Sequence, residues 1–176
     1  MSSTLRSVRL TTDDGPPGLS RDRFSSANRR RLSAPGLRTF LTIADLWGLD
    51  EEQRLLVLGY PGRSTYHRWA KIARKHGDLT LDVDTLVRIS AVLGIHQALG
   101  GLYADERTAV AWLRTPHRAT VFGGAPPLNL VASGTQDGLL ATRRFLDAAR
   151  GGIYMEPIEE VDRGFAPYHD EDLHLS

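Results

Sequence analysis

Between Trp112 and Leu130 the chain reads WLRTPHRATVFGGAPPLNL: two adjacent glycines, three prolines, a tryptophan and a phenylalanine within nineteen residues. Glycine-rich loops cradle phosphates when successive amides converge at the start of a helix, usually with a Lys–Ser/Thr pair completing the site. No such lysine follows Gly123 and Gly124, and Pro126 and Pro127 remove amide donors where the anion would sit. The histidines, at 67, 76, 96, 117, 169 and 174, are too dispersed for a local metal pair, His169 and His174 excepted. No G-x-S-x-G or H-E-x-x-H motif occurs. Without cysteine there is no thiol catalysis, disulfide or thiolate zinc site. The residues therefore predict no catalytic constellation, no metal and no cofactor, hence a protein that is not itself an enzyme. The loop has a structural use instead. Trp112, Leu113, Phe122, Pro127, Leu128 and Leu130 can fold back onto a following helix that offers Leu139, Leu146 and Ala149, flanked by Ala141, Phe145 and Ala148. Such a face can line a private core or meet a partner.

The elements that would position these residues are helical, and no convincing strand alternation interrupts them. The expected fold class is all-α. A first helix is expected at about 37–47, stopped by Gly48. Asp50 is a good N-cap for a second helix at 51–58, which Gly59 ends. Ser64 can cap a third at 64–75. A fourth is expected at about 82–93, a short fifth in GIHQALGGLY, and a sixth in DERTAVAWLRT with Asp105 near its start. PLNLVAS supplies one turn or two, and a last long helix covers about 135–150. Four segments follow: a disordered basic leader 1–35, a helical domain 36–100, a second helical domain 101–152 and an acidic tail 153–176.

Net charge is +1, unevenly spread. Residues 1–35 carry seven arginines against three aspartates; residues 153–176 carry one arginine against seven acids. A basic arm and an acidic tail are one reading, and solvated ends are the other. No apolar run approaches the roughly eighteen residues of a membrane span, and the N-terminus lacks the apolar core of a secretory signal. A soluble cytoplasmic protein is the simplest expectation.

Helices 51–58 and 64–75, joined by a glycine-containing turn, suggest a helix-turn-helix. Tyr66, Trp69, Ala70 and Ala73 of the second helix can face a core, while Ser64, His67, Arg68, Lys71, Arg74 and Lys75 fall on the other side. From Arg63 to Gly77 there are five basic residues and no acid. A recognition helix presents N-terminal side chains to base edges and basic residues to phosphate. The expected DNA-contacting set is Ser64, Thr65, His67, Arg68 and Lys71. Against this, residues 37–99 carry eight basic and seven acidic side chains, so the basic face can be merely solvated and the motif a packing or dimerisation unit.

AWLRTPHRATVFGGAPPLNLVASG followed by LLATRRFLDAARGG resembles the toxin-binding domain of the MbcA/ParS/Xre antitoxins. The family pattern is roughly W-L-x-x-P-N, F-G-G-x-x-P-L-x-L, a glycine, and a helix ending in glycine. Trp112, Leu113, Pro116, Phe122, Gly123, Gly124, Pro127, Leu128, Leu130, Gly134, Leu139, Leu146, Gly151 and Gly152 fall on it. LDEEQRLLVLGYPGRSTYHRWAK and LVRISAVLGIHQALGGLY look like the accompanying Xre-type helix-turn-helix. The chain departs at His117, where the family often has asparagine, and across HRATV.

The resemblance implies a type II antitoxin whose partner is a cognate RES-domain toxin that consumes NAD by hydrolysis, phosphorolysis or ADP-ribosyl transfer. It implies operator DNA as a second partner, and a homodimer within a hetero-oligomeric toxin–antitoxin complex. It also implies that the C-terminal region obstructs the NAD site. The expected toxin-binding residues are Trp112, Phe122, Arg143 and Arg144, with Ile158, Glu159, Glu160, Phe165 and Tyr168 in the tail. There, acids interleaved with apolar anchors could set carboxylates where phosphates would go. The competing reading is a helix-turn-helix transcription regulator whose C-terminal domain only dimerises.

Overall fold

The computed structural model describes residues 25–152, and these are all-helical. The helices are α1 (Ser26–Leu46), α2 (Glu51–Val57), α3 (Arg63–Arg74), α4 (Val83–Leu102), α5 (Glu106–Arg114), α6 (Pro127–Val131) and α7 (Gln136–Arg150). A single 3₁₀ turn, Thr120–Phe122, precedes α6. The leader's first 24 residues and the tail 153–176 lie outside the described residues, and with them Ile158, Glu159, Glu160, Phe165 and Tyr168.

Helix α1 begins eleven residues before the expected start, so positions 26–35 are packed structure and not leader. Ser25 caps it by accepting from the Asn28 amide (3.3 Å). The reason this turn packs is polar. Ser33 is fully buried; its hydroxyl donates to the Arg29 carbonyl (2.6 Å) and accepts from the Leu81 amide (2.8 Å). Arg29 Nη1 donates to the Leu81 carbonyl (3.1 Å), and Arg30 pairs with Asp78. Pro35 lies inside the helix on its exposed side and withholds one amide donor without ending it.

Asp50 caps α2 as expected, within a reciprocal capping box: it accepts from the Gln53 amide (2.8 Å) and its own amide donates to Gln53 Oε1 (3.1 Å). Asp82 and Asp105 cap α4 and α5 by the single forward bond, each accepting from the amide three residues on (2.8 Å). Burial raises the Asp82 carboxyl, but the Thr85 amide and hydroxyl donate to it and hold it below its ordinary value. Ser64 does not cap α3. That helix starts one residue earlier, with Gly62 at the cap and no side-chain bond, so Ser64 sits exposed within its first turn.

Helix α4 corrects three expectations. It runs unbroken through Gly94 and Gly100, so there is no separate fifth helix and the expected boundary at 100/101 falls inside an element. It is also long and apolar enough to cross a membrane by length and composition. Its Ile89, Ala91, Val92, Ile95, Ala98 and Leu99 are instead buried in one core with residues of α1, α5 and α7. That core joins both expected domains, from Leu37 and Trp47 to Leu113, Leu139 and Leu146.

Polar ties cross the same junction. Arg114, at the end of α5, donates to the Trp47 carbonyl (Nε, 3.2 Å) and the Gly48 carbonyl (Nη2, 3.0 Å), capping the end of α1. Arg88 of α4, only 9% exposed, bonds Asp84 (2.7 Å) and the Gly134 carbonyl (3.0 Å). Gly59 and Gly134 both have positive φ, +87° and +83°. A Cβ on Gly59 would lie 3.0 Å from Arg88 Nε, and one on Gly134 would lie 3.0 Å from Leu56 Cδ2. Each glycine meets both a conformational and a spatial demand there.

Ser33→Ala should lower unfolding free energy by about 1–3 kcal/mol, because the buried Leu81 amide loses its acceptor. Urea denaturation checks this, and an unchanged midpoint would mean that water replaces the hydroxyl.

Candidate functional site

Two surfaces gather the chemistry-bearing residues. The first is the α2–turn–α3 unit. A two-bond C-terminal motif ends α2, the Gly59 amide donating to the Leu56 carbonyl (3.1 Å) and the Tyr60 amide to the Leu55 carbonyl (2.7 Å). Arg54 fixes α2 against α1 through Asp45 (2.7 Å) and the Leu49 carbonyl (2.8 Å). The inner side of α3 is as expected: Tyr66, Ala70 and Ala73 are buried and Trp69 is half-buried. Ser64, His67, Arg68, Lys71, Arg74 and Lys75 are exposed together on the outer side, and Thr65 is half-buried.

One carboxylate sits at this surface that spacing along α3 alone does not reveal. Glu51, in the first turn of α2, lies 3.5 Å from Arg63 and 3.4 Å from His67; the histidine contact is an ion pair only with the imidazole protonated. The signal available in the sequence was the turn length, which brings the start of α2 beside the start of α3.

The second surface is the Pro/Gly loop over α7. The Phe122 amide donates to the Ala119 carbonyl (2.9 Å), Gly123 to Thr120 (3.2 Å), Ala125 to Phe122 (2.9 Å) and His117 to Ala125 (3.2 Å). The loop thus uses these amides on its own carbonyls. Beneath it Trp112, His117, Phe122 and Phe145 form an aromatic cluster. Phe122 meets Phe145 edge-on at 5.0 Å and Trp112 at 5.7 Å, while Trp112 stacks on Phe145 at 6.2 Å. Such edge and offset geometries are the favourable ones for aromatic rings.

The sites expected for a partner are placed unequally. Phe122 is 6% exposed, so it shapes the surface from below, while Trp112 is half-buried and neighbouring Val121 is exposed. Arg143 is half-buried: its Nη1 donates to the Ser90 carbonyl (3.4 Å) and its Nε lies 3.5 Å from Asp147. Arg144 is exposed, 3.5 Å from Asp137. Among the described residues no group of three or more His, Asp or Glu could hold a metal ion.

His117 explains its own departure from the asparagine of the resembling pattern. Its Nδ1 accepts from the Ala119 amide (3.1 Å), two residues on. An asparagine carboxamide oxygen makes that same turn. The ring additionally contacts Phe122 at 5.2 Å and Phe145 at 5.4 Å.

Comparison with known proteins maps onto the same two regions. Residues 26–94 match the antitoxin Xre-like helix-turn-helix domain, and residues 98–152 match the antitoxin Xre/MbcA/ParS C-terminal toxin-binding domain. The chain is also 38% identical over 127 residues to the uncharacterized protein y4oB of Sinorhizobium fredii (strain NBRC 101917 / NGR234), covering 72% of this chain and 92% of the relative.

His117→Ala should cost about 1–2 kcal/mol of stability, through the orphaned amide and the lost ring contacts. His117→Asn should cost measurably less, because it restores the acceptor. Equal losses in chemical denaturation would assign the whole effect to ring packing.

Proposed function

The chain belongs to the antitoxins that join an Xre-like helix-turn-helix to an Xre/MbcA/ParS toxin-binding domain, and on that footing we propose that it neutralises a cognate RES-domain, NAD-consuming toxin by covering the toxin's active site. The observation that carries the reading is the Pro/Gly loop. It is closed by its own hydrogen bonds over the Trp112–Phe122–Phe145 cluster, within the residues that match the toxin-binding domain. A loop so fixed pays little ordering entropy on binding. The loop offers Val121 outward and α7 offers Arg144; Trp112 near the end of α5 and Arg143 are half-buried, and Phe122 lies buried beneath. These family domains point to a regulatory protein and not an enzyme.

The acidic tail is the second part of this reading. Seven acids and one arginine follow Gly152, interleaved with Ile158, Val161, Phe165 and Tyr168. A toxin site that takes a dinucleotide pyrophosphate is electropositive, and Glu159 and Glu160 would occupy it as carboxylates anchored by the apolar neighbours. The helix-turn-helix supplies the second activity, repression of the chain's own operon. Ser64, Thr65, His67, Arg68 and Lys71 enter the major groove, and a homodimer within the toxin–antitoxin complex supplies two such helices.

The test is co-expression with the RES-type frame expected beside this one. The full chain should preserve cellular NAD and growth, and truncation after Gly152 should abolish or sharply weaken that protection. Full protection by the truncated chain would dismiss the tail. The absence of any neighbouring toxin would favour a regulator that only dimerises. Arg68→Ala and Lys71→Ala should each weaken promoter binding, with a salt slope reduced by about 1, while leaving toxin neutralisation intact.

A further inference from the structure

The first turns of α1 meet the far end of α3, and between them lies a groove of about 410 Å³. Its walls carry Arg30, Arg31 and Arg38 from α1 and His76, Gly77 and Asp78 from the segment after α3. Three arginines and a histidine therefore face one carboxylate, and that carboxylate pairs with Arg30. Arg38 Nη1 donates to the Ala73 carbonyl (3.1 Å), which fixes α1 against the last turn of α3. Arg30 and Arg31 remain exposed. Arg74 and Lys75, both exposed, immediately precede His76, so the groove lies next to the basic trailing end of α3.

His76 is an outlier in its own right. The end of α3 is a two-bond C-terminal motif, His76 amide to Ala73 carbonyl (3.1 Å) and Gly77 amide to Ile72 carbonyl (3.0 Å). The position His76 occupies, with φ +56°, is the one glycine ordinarily fills. A side chain kept there at a conformational cost, in a basic groove, points to use of that side chain.

We infer that this groove binds a backbone phosphate of the DNA whose major groove α3 enters. The inference rests on the reading of α3 as the DNA-contacting helix. A recognition helix puts its leading residues at base edges, and in homeodomain-type docking its trailing end meets the sugar–phosphate backbone. The twelve residues of α3 span about 18 Å. Duplex DNA presents a charge every 1.7 Å or so along its axis, so phosphates flank a helix lying in the groove along its whole length. There Arg30 exchanges Asp78 for a phosphate oxygen, and Arg31 and His76 donate beside it.

The full chain is titrated by fluorescence anisotropy against a short duplex from directly upstream of its own coding sequence and against a mixed-sequence duplex of equal length, across a potassium chloride series. R30Q/R31Q should weaken both duplexes in parallel and lower the salt slope by about 2. D78N should strengthen both. H76G should melt no lower than the parent, because it relieves the backbone, and still bind more weakly. An unchanged slope in R30Q/R31Q beside a reduced slope in K71Q would overturn the groove and leave the reading of α3 standing. Loss confined to the upstream duplex would overturn it as a phosphate site. No salt-dependent binding by the parent would remove the reading of α3 and the groove together.

Discussion

The burial of α4 organises the rest of the described chain. A helix apolar around most of its circumference must be surrounded, and α1, α5 and α7 all pack on it. Two glycines of α4 lie under arginines of α7. A Cβ on Gly94 would lie 2.7 Å from Arg143 Nε, and one on Gly101 would lie 3.2 Å from Arg150 Nε. The two contacts are seven residues apart on both helices and in the same order, so α4 and α7 run in the same direction. It is the guanidinium ends of the two arginines that lie over the glycines, and Arg143 there also donates to the Ser90 carbonyl.

That arrangement explains what was legible in the sequence and what was not. Some local signatures could be read directly, Asp50 as a cap and Gly48 and Gly59 as stops, and Asp105 near a helix start proves to be its cap, whereas Ser64 does not cap α3. The inner and outer sides of α3 followed from periodicity. The breaks placed at Gly94 and before Gly101 did not survive, because glycine inside a helix is penalised only by about 1 kcal/mol. Here the side chains of Arg143 and Arg150 fill the space over Gly94 and Gly101. Helix propensity is local, and what packs over those glycines lies some fifty residues away.

The start of α1 was missed for the converse reason. Its buried anchor, Ser33, is polar, and a hydrophobic pattern cannot find it. The three arginines at 29–31 looked like a solvated arm until Leu81 and Asp78 were seen to receive two of them. Likewise the glycines and prolines of 116–127 suggested ligand chemistry. Their geometry serves instead to turn the backbone over Phe122 and to satisfy its amides internally. A loop and a binding cradle use the same residue types, and only the destination of the amides separates them.

The two surfaces are also not independent bodies on a tether. Arg88 is nearly buried, and an unpaired charge there would be costly. It is satisfied from both sides: by Asp84 next to the Gly59 turn of the helix-turn-helix, and by the Gly134 carbonyl at the entrance to α7. Leu56 of α2 rests on that same glycine. Because interiors are close-packed and yield little, the segment leading into α7 cannot shift without meeting Leu56 and Arg88. The turn that aims α3 is therefore set by the same contacts that hold the loop side of the toxin-binding domain in place.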